Sequence, residues 1–258
     1  DNVAEGNHTG TISHSASSTD ANYNNITIPN VTVNVTDNDT AGVTITESGG
    51  STAVAEGGAT DTYTVVLNTA PTANVTITLN PGTQLTVSPT SLTFTPTNWN
   101  TPQTVTVTAV DDNVAEGNHT GTISHSASSA DANYNNITIP NVTVNVTDND
   151  TAGVTIVESG GSTAVAEGGA TDTYTVVLNS QPTANVTITI TPDGQSTVSP
   201  TSLTFTPTNW NTPQTVTVTA VDDNVAEGNH TGTISHSASS ADANYNNITI
   251  PNVTVNVT

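Results

Sequence analysis

The chain has 258 residues, of which 22 are acidic and none is Lys or Arg, giving a formal net charge of -22. A chain of this length ordinarily carries roughly 30 basic residues; without them there is no attractive patch for phosphate backbones or anionic lipid, which argues against nucleic-acid and membrane-surface partners. Cys is absent too, so neither a disulfide framework nor a thiolate site holds or serves the fold, and no apolar run approaches the roughly 20 residues of a membrane span. Neither Met nor a signal-peptide pattern is present, and the chain is expected to be an internal piece of a longer one. Its carboxylates have no basic partner and must face water, loop N–H groups or a bound cation.

The segment beginning DNVAEGNHTGTISHSASS occurs at Asp1, Asp112 and Asp223, a period of 111 residues. Residues 1–36 repeat 112–147 except at position 19, and residues 37–147 and 148–258 differ at eight positions, five of them between 79 and 85. Such clustering predicts a variable loop tip on a constant scaffold. A period this long is a whole domain rather than one turn of a solenoid. Near-identical neighbours point to length or multivalency as the selected property, not catalysis.

Along one copy the apolar period is two. Val43–Ile45 opens the series; then Tyr63, Val65 and Leu67 alternate with Thr62, Thr64 and Val66, and Val75, Ile77 and Leu79 with Thr76 and Thr78. Ser91–Phe94 follows, then Val105 and Val107 among Thr104, Thr106 and Thr108. Gly121–Ser124 and the run Val142, Val144, Val146 close the copy. These are half-buried strands, β-branched on both faces. Gly49-Gly50, Gly57-Gly58, Pro81-Gly82, Pro89, Pro96, Pro102 and Pro140 punctuate them as turns. No 3.6-residue period occurs. The reading is all-β, with each copy a β-sandwich of about seven or eight short strands.

Large side chains are few: Phe94, Trp99, Tyr63 and Tyr134 per copy. Trp99, between two Asn residues in a turn, is expected to close one end of the sandwich, with a sugar-stacking platform as the other reading. His119 and His125, six apart, can share a strand face, but a third ligand for a transition metal is missing; plain strand histidines are expected. Ser124-His125 and Asp131 are residue types of a triad without an elbow or an oxyanion loop, so no enzyme is expected. Asn-x-Thr occurs repeatedly, at Asn7, Asn25, Asn30, Asn34, Asn38 and Asn74 first, and leaves glycosylation open.

The chemistry-bearing motifs are acidic. Asp111-Asp112…Glu116 follows one predicted strand, Asp148-Asn149-Asp150 follows another at the junction with the next copy, and Glu56 stands in Ala55-Glu56-Gly57-Gly58. Hard oxygen donors gathered on loops suit Ca²⁺, which takes six to eight oxygens in irregular geometry. Asp-x-Asp after a strand sets two carboxylates on one side of the chain.

Taken in order, Ala55-Glu56-Gly57-Gly58, Ser91-Leu92-Thr93-Phe94, Val105–Val110 running into Asp111-Asp112…Glu116-Gly117, and Asp148-Asn149-Asp150-Thr151-Ala152-Gly153 resemble the Calx-β domain family. The resemblance covers most of each copy. It implies tandem Ig-like sandwiches of the kind found in exchanger regulatory regions, integrin tails and bacterial surface adhesins. It divides the chain into 1–36, the C-terminal part of a preceding repeat, and two complete repeats, 37–147 and 148–258. It also implies Ca²⁺ ligands: Glu56, Asp111, Asp112, Glu116, Asp148 and Asp150; in the next copy Glu167, Asp222, Asp223 and Glu227; in the partial one Asp1, Glu5, Asp37 and Asp39. The family's Asp-Tyr in the middle loop is replaced by Leu85-Thr86-Val87-Ser88-Pro89, which leaves the number of ions per junction open. The expected role is an extracellular stalk or fibre segment, secreted or surface-attached, partnered by neighbouring repeats or by identical chains through strand complementation. The alternative is an adhesin module gripping glycan or ice through outward Thr and Trp surfaces.

Overall fold

The structure, a computed structural model, describes all 258 residues. Packing divides them into two compact units, residues 1–110 with 120–146 and residues 111–119 with 147–258. In chain order the strands are β1 (His8–Ile12), β2 (Val31–Val35), β3 (Val43–Glu47), β4 (Thr52–Ala55), β5 (Asp61–Leu67), β6 (Val75–Asn80), β7 (Leu85–Ser88), β8 (Ser91–Phe94), β9 (Gln103–Ala109), β10 (His119–Ser129) and β11 (Val142–Thr147). The series then recurs as β12 (Val154–Glu158), β13 (Thr163–Val165), β14 (Asp172–Leu178), β15 (Val186–Pro192), β16 (Ser196–Ser199), β17 (Ser202–Phe205), β18 (Gln214–Ala220), β19 (His230–Ser240) and β20 (Val253–Val257). Helix is confined to two three-residue 3-10 turns, Ser48–Gly50 and Ser159–Gly161.

Each complete copy is an Ig-like β-sandwich of a four-stranded and a five-stranded sheet. The first has the orders β3-β5-β9-β7 and β4-β11-β10-β6-β8, the second β12-β14-β18-β16 and β13-β20-β19-β15-β17. The alternation read from the sequence is what fills the space between the sheets. Tyr63, Val65 and Leu67 of β5 and Val105 and Val107 of β9 are buried, in the register Tyr63↔Val105. They face Val75 and Ile77 of β6 and Val142, Val144 and Val146 of β11 in one core. Each such aliphatic side chain contributes about 1.5–3 kcal/mol on burial, and Tyr63, Phe94 and Tyr134 are the largest side chains fully buried among them. Trp99 packs at the edge of that core, and its carbonyl accepts the Leu67 N–H at 3.1 Å.

All seven runs seen in the sequence are strands, and two more join them, making nine. β4 is Thr-Ala-Val-Ala, with Thr52 and Val54 buried but too little apolar contrast to show a period. In the second copy its equivalent β13 pairs in parallel with β20, and its Thr163 gives both N–H and hydroxyl to Glu158 Oε2 at 2.7 Å. β7 lies where a middle loop was expected and pairs with β9, Leu85 opposite Ala109. The variable stretch 79–85 is likewise more than a loop tip: it spans the end of β6 and the start of β7, and Leu79 and Leu85 are both in the core.

β1 and β2 pair as an antiparallel ladder, His8 opposite Val35. Ile12 and Val31 are 52% and 48% exposed there, whereas Ile123 and Val142, at the same positions of the complete copy, are 0% and 1% exposed. The strands that cover Ile123 and Val142 have no counterpart before β1 among the 258 residues.

Candidate metal centre

In the second unit the segment after β11 turns on its own carboxylate. Asp148 Oδ1 accepts the Asp150 N–H at 2.7 Å, and Asp148 Oδ2 accepts the Gly117 N–H at 2.6 Å from the connection that precedes β10. Asp111 Oδ1, in the same connection, accepts from the Asn149 side chain at 3.2 Å, and Asp112 Oδ1 accepts the Val114 N–H at 2.8 Å. Of the expected ligands, Asp148 and Asp150 share one turn, Asp111 is tied to it through Asn149, and Asp112 turns on its own connection. The electrostatic consequence falls on Asp150: burial pushes its carboxyl above the ordinary value, and the carboxylates of Asp148, Asp112 and Asp111 push it the same way. Its Oδ2 is buried with no hydrogen-bond partner. A crowded oxygen-only set with an unsatisfied anionic oxygen suits a hard cation.

The first unit shows the corresponding turn. Asp37 Oδ1 accepts the Asp39 N–H at 2.9 Å and Oδ2 the Gly6 N–H at 2.6 Å, and these bonds hold its carboxyl below the usual value. Asp1 Oδ1 accepts the Val3 N–H at 3.1 Å. Asp1, Glu5, Asp37 and Asp39 line a single cleft, with His8 beside them. Glu56 is buried in the turn after β4, where Gly57 takes a φ of +59°.

The second copy adds a histidine. Potential ligand atoms of Glu167, Glu227 and His230 lie within 4.8 Å of one another. His230 Nδ1 faces the Gly228 carbonyl at 2.9 Å and so carries the proton. Its Nε2 lies 3.4 Å from Glu227 Oε2 and 3.1 Å from Gln195 Oε1. Asp222 rests against the same turn, its Oδ2 3.3 Å from where a Cβ on Gly168 would stand, while Asp223 Oδ1 accepts the Val225 N–H at 2.7 Å. Glu116 stands 3.6 Å from His119 in the same Glu-x-x-His spacing. That spacing, which also joins Glu5 to His8 at 3.7 Å, was the sequence signal for the histidine. Plain strand histidines are the expectation for His119 and His125; His119 stands beside Glu116. His125 has other partners: its Nδ1 faces the Pro140 carbonyl at 3.0 Å and its Nε2 the Tyr63 hydroxyl at 2.9 Å.

No protein-family model and no curated protein sequence matches the chain. Among solved structures, the calcium binding domain CBD12 of CALX1.1 is similar at 15% identity and a TM-score of 0.33, over 76% of this chain and 80% of that one. The apo form of the Calx CBD1 domain is similar at 20% identity and a TM-score of 0.31, over 42% of this chain and 98% of that one. The titin domains z1z2 in complex with telethonin are similar at 13% and 0.32, over 80% and 90%. These are remote likenesses and transfer no residue role to this chain. No helix is long and apolar enough to cross a membrane.

Proposed function

We propose that the chain is a non-catalytic structural segment, a stalk or fibre portion of a secreted or surface-attached microbial tandem-repeat protein, stiffened by Ca²⁺. In this reading Asp111, Asp112, Asp148 and Asp150 hold the ion, which cross-links the segment between β11 and β12 to the connection before β10. Asp1, Glu5, Asp37 and Asp39 do the same one copy earlier. Glu56, Glu116, Glu167, Asp222, Asp223 and Glu227 complete the ligand sets of their copies. The observation that carries the reading is the Asp150 carboxylate, crowded by three others and left with a buried, unbonded oxygen. A divalent cation relieves that repulsion and supplies the missing partner.

Calorimetric titration with Ca²⁺, alongside melting curves, tests the ion directly. A site filled at a hundredfold excess over its dissociation constant adds about 2.7 kcal/mol to stability. We expect saturable Ca²⁺ uptake and a raised melting temperature, both diminished in Asp150→Asn. No heat of binding and an unchanged melting curve contradict the reading.

A further inference from the structure

The connection between β9 and β10 has the same sequence in each copy, Asp-Asn-Val-Ala-Glu-Gly, and the structure holds three instances of it. Two are seated. In the first unit the Asn2 carbonyl accepts the Ala70 N–H at 2.7 Å, and the Ala4 carbonyl accepts from Asn133 Nδ2 at 2.6 Å. In the second unit the Asn113 carbonyl accepts the Gln181 N–H at 2.6 Å, and the Ala115 carbonyl accepts from Asn244 Nδ2 at 2.6 Å. Val114 forms a parallel bridge with Gln181. In both seated instances the Val and Ala are partly buried; in the third, Val225 is 60% exposed and Ala226 is exposed as well. One sequence therefore takes two states of burial, according to whether a receiving surface is present.

That surface is held by hydrogen bonds of its own. The buried Tyr134 hydroxyl binds the N–H and carbonyl of Thr69 at 3.0 and 2.8 Å. The buried Asp131 carboxylate accepts from Thr72 N–H at 2.7 Å and Asn133 N–H at 2.9 Å. Ala70 and Asn133, the two donors to the arm, thus project from segments already fixed on either side. Tyr245 and Asp242 repeat the arrangement around Gln181 and Asn244. A receiver with its donors locked in place loses little freedom when it engages.

We propose that this connection is a docking arm whose partner is the copy of the repeat that follows it, and that the exposed Asp223–Gly228 has the same capacity to dock on a copy of this repeat. Recognition is by main-chain carbonyls, so the arm tolerates exchange at the receiving donor: Ala70 in one copy is Gln181 in the next, and both donate from the backbone. The bonds that seat the arm run through main-chain carbonyls rather than carboxylates, so its test is distinct from that of Ca²⁺ binding, although Asp112 and Glu116 of the same connection are proposed ligands.

Limited digestion of the whole chain with a Glu-specific protease tests this, followed by intact mass in Ca²⁺ and in chelator. The chain carries its own controls, because the bonds after Glu5, Glu116 and Glu227 lie in identical local sequence. Loss of one hydrogen bond of ordinary strength opens a docked segment roughly fivefold more often. Asn244→Ala is expected to speed cleavage after Glu116 by that factor and leave Glu5 unchanged; Asn133→Ala is expected to do the reverse. Both effects persist in chelator. If neither variant changes its own site, or if each changes both sites alike, the arm is not docked as proposed. Effects seen only in Ca²⁺ would overturn the arm's independence of the ion.

Discussion

At the scale of single residues, the two copies serve as each other's mutants. Leu85 is 2% exposed in the first core, and a Cβ on Gly121 would stand 2.5 Å from its Cδ1. The second copy has Ser196 there, 2% exposed, with a buried hydroxyl that finds no partner. Near it Asp193 and Gln195 approach Gly232 within 3.2 and 3.0 Å of a would-be Cβ. The glycine thus makes room in both copies, for different neighbours. Leu85→Ser alone, without the Asp193 that stands where the first copy has Gly82, is expected to cost about 2–4 kcal/mol. Chemical denaturation of the chain measures it; an unchanged midpoint would show that the site collapses freely around the smaller side chain.

At the scale of elements, the two sheets are joined by a polar bridge as well as by apolar packing. Tyr63 on β5 and His125 on β10 meet across the sandwich, with the hydroxyl 2.9 Å from Nε2 and the rings edge to face at 5.7 Å. Tyr174 and His236 repeat the contact at 2.9 and 5.6 Å. Because Nδ1 gives its proton to a Pro carbonyl, Nε2 is the acceptor in the neutral ring. Burial lowers both histidines below their ordinary value of 6.5, against a smaller opposing pull from those carbonyls. The folded state therefore favours the neutral ring. This stabilisation is fully present above pH 6.5 and is lost as pH falls from there through the lowered folded-state value. Denaturation midpoints of the wild type should fall between pH 7.5 and 5.5, and the His125→Gln/His236→Gln variant should lose that part of the slope. An equal slope in both proteins would remove the bridge from the account.

The elements were legible in the sequence wherever large apolar residues alternate with Thr, as in β5, β6, β9 and β11. They were illegible where inward positions are small or polar. β4 buries a Thr and a Val among alanines, and β10, legible over Gly121–Ser124, continues past Ile123 with His125 and Ala127 on its inward side. The acidic clusters showed in the sequence as Asp-x-Asp spacings, because turn carboxylates cap their own backbone at a fixed offset, as Asp37 and Asp148 do. What neither spacing could show was Glu167 beside the Glu227–His230 pair, or the seating of Asn113 against Gln181. Both depend on segments brought close only by the fold.

At the scale of the whole molecule, the chain combines near-identical sandwiches, a charge of -22 with no basic residue, and acidic turns in the segments that join copies. Repulsion among these carboxylates weakens as salt rises, but a bound divalent ion cancels it locally and adds directional bonds. In the proposed reading, Ca²⁺ bound there would restrict the freedom of the segments that join consecutive copies. Small-angle X-ray scattering of the 258-residue chain, in Ca²⁺ and again after chelation at equal ionic strength, reads that freedom directly. The account predicts a narrower distribution of interatomic distances in Ca²⁺ and a broader one in chelator, restored by returning the ion. Superimposable profiles under the two conditions would contradict it.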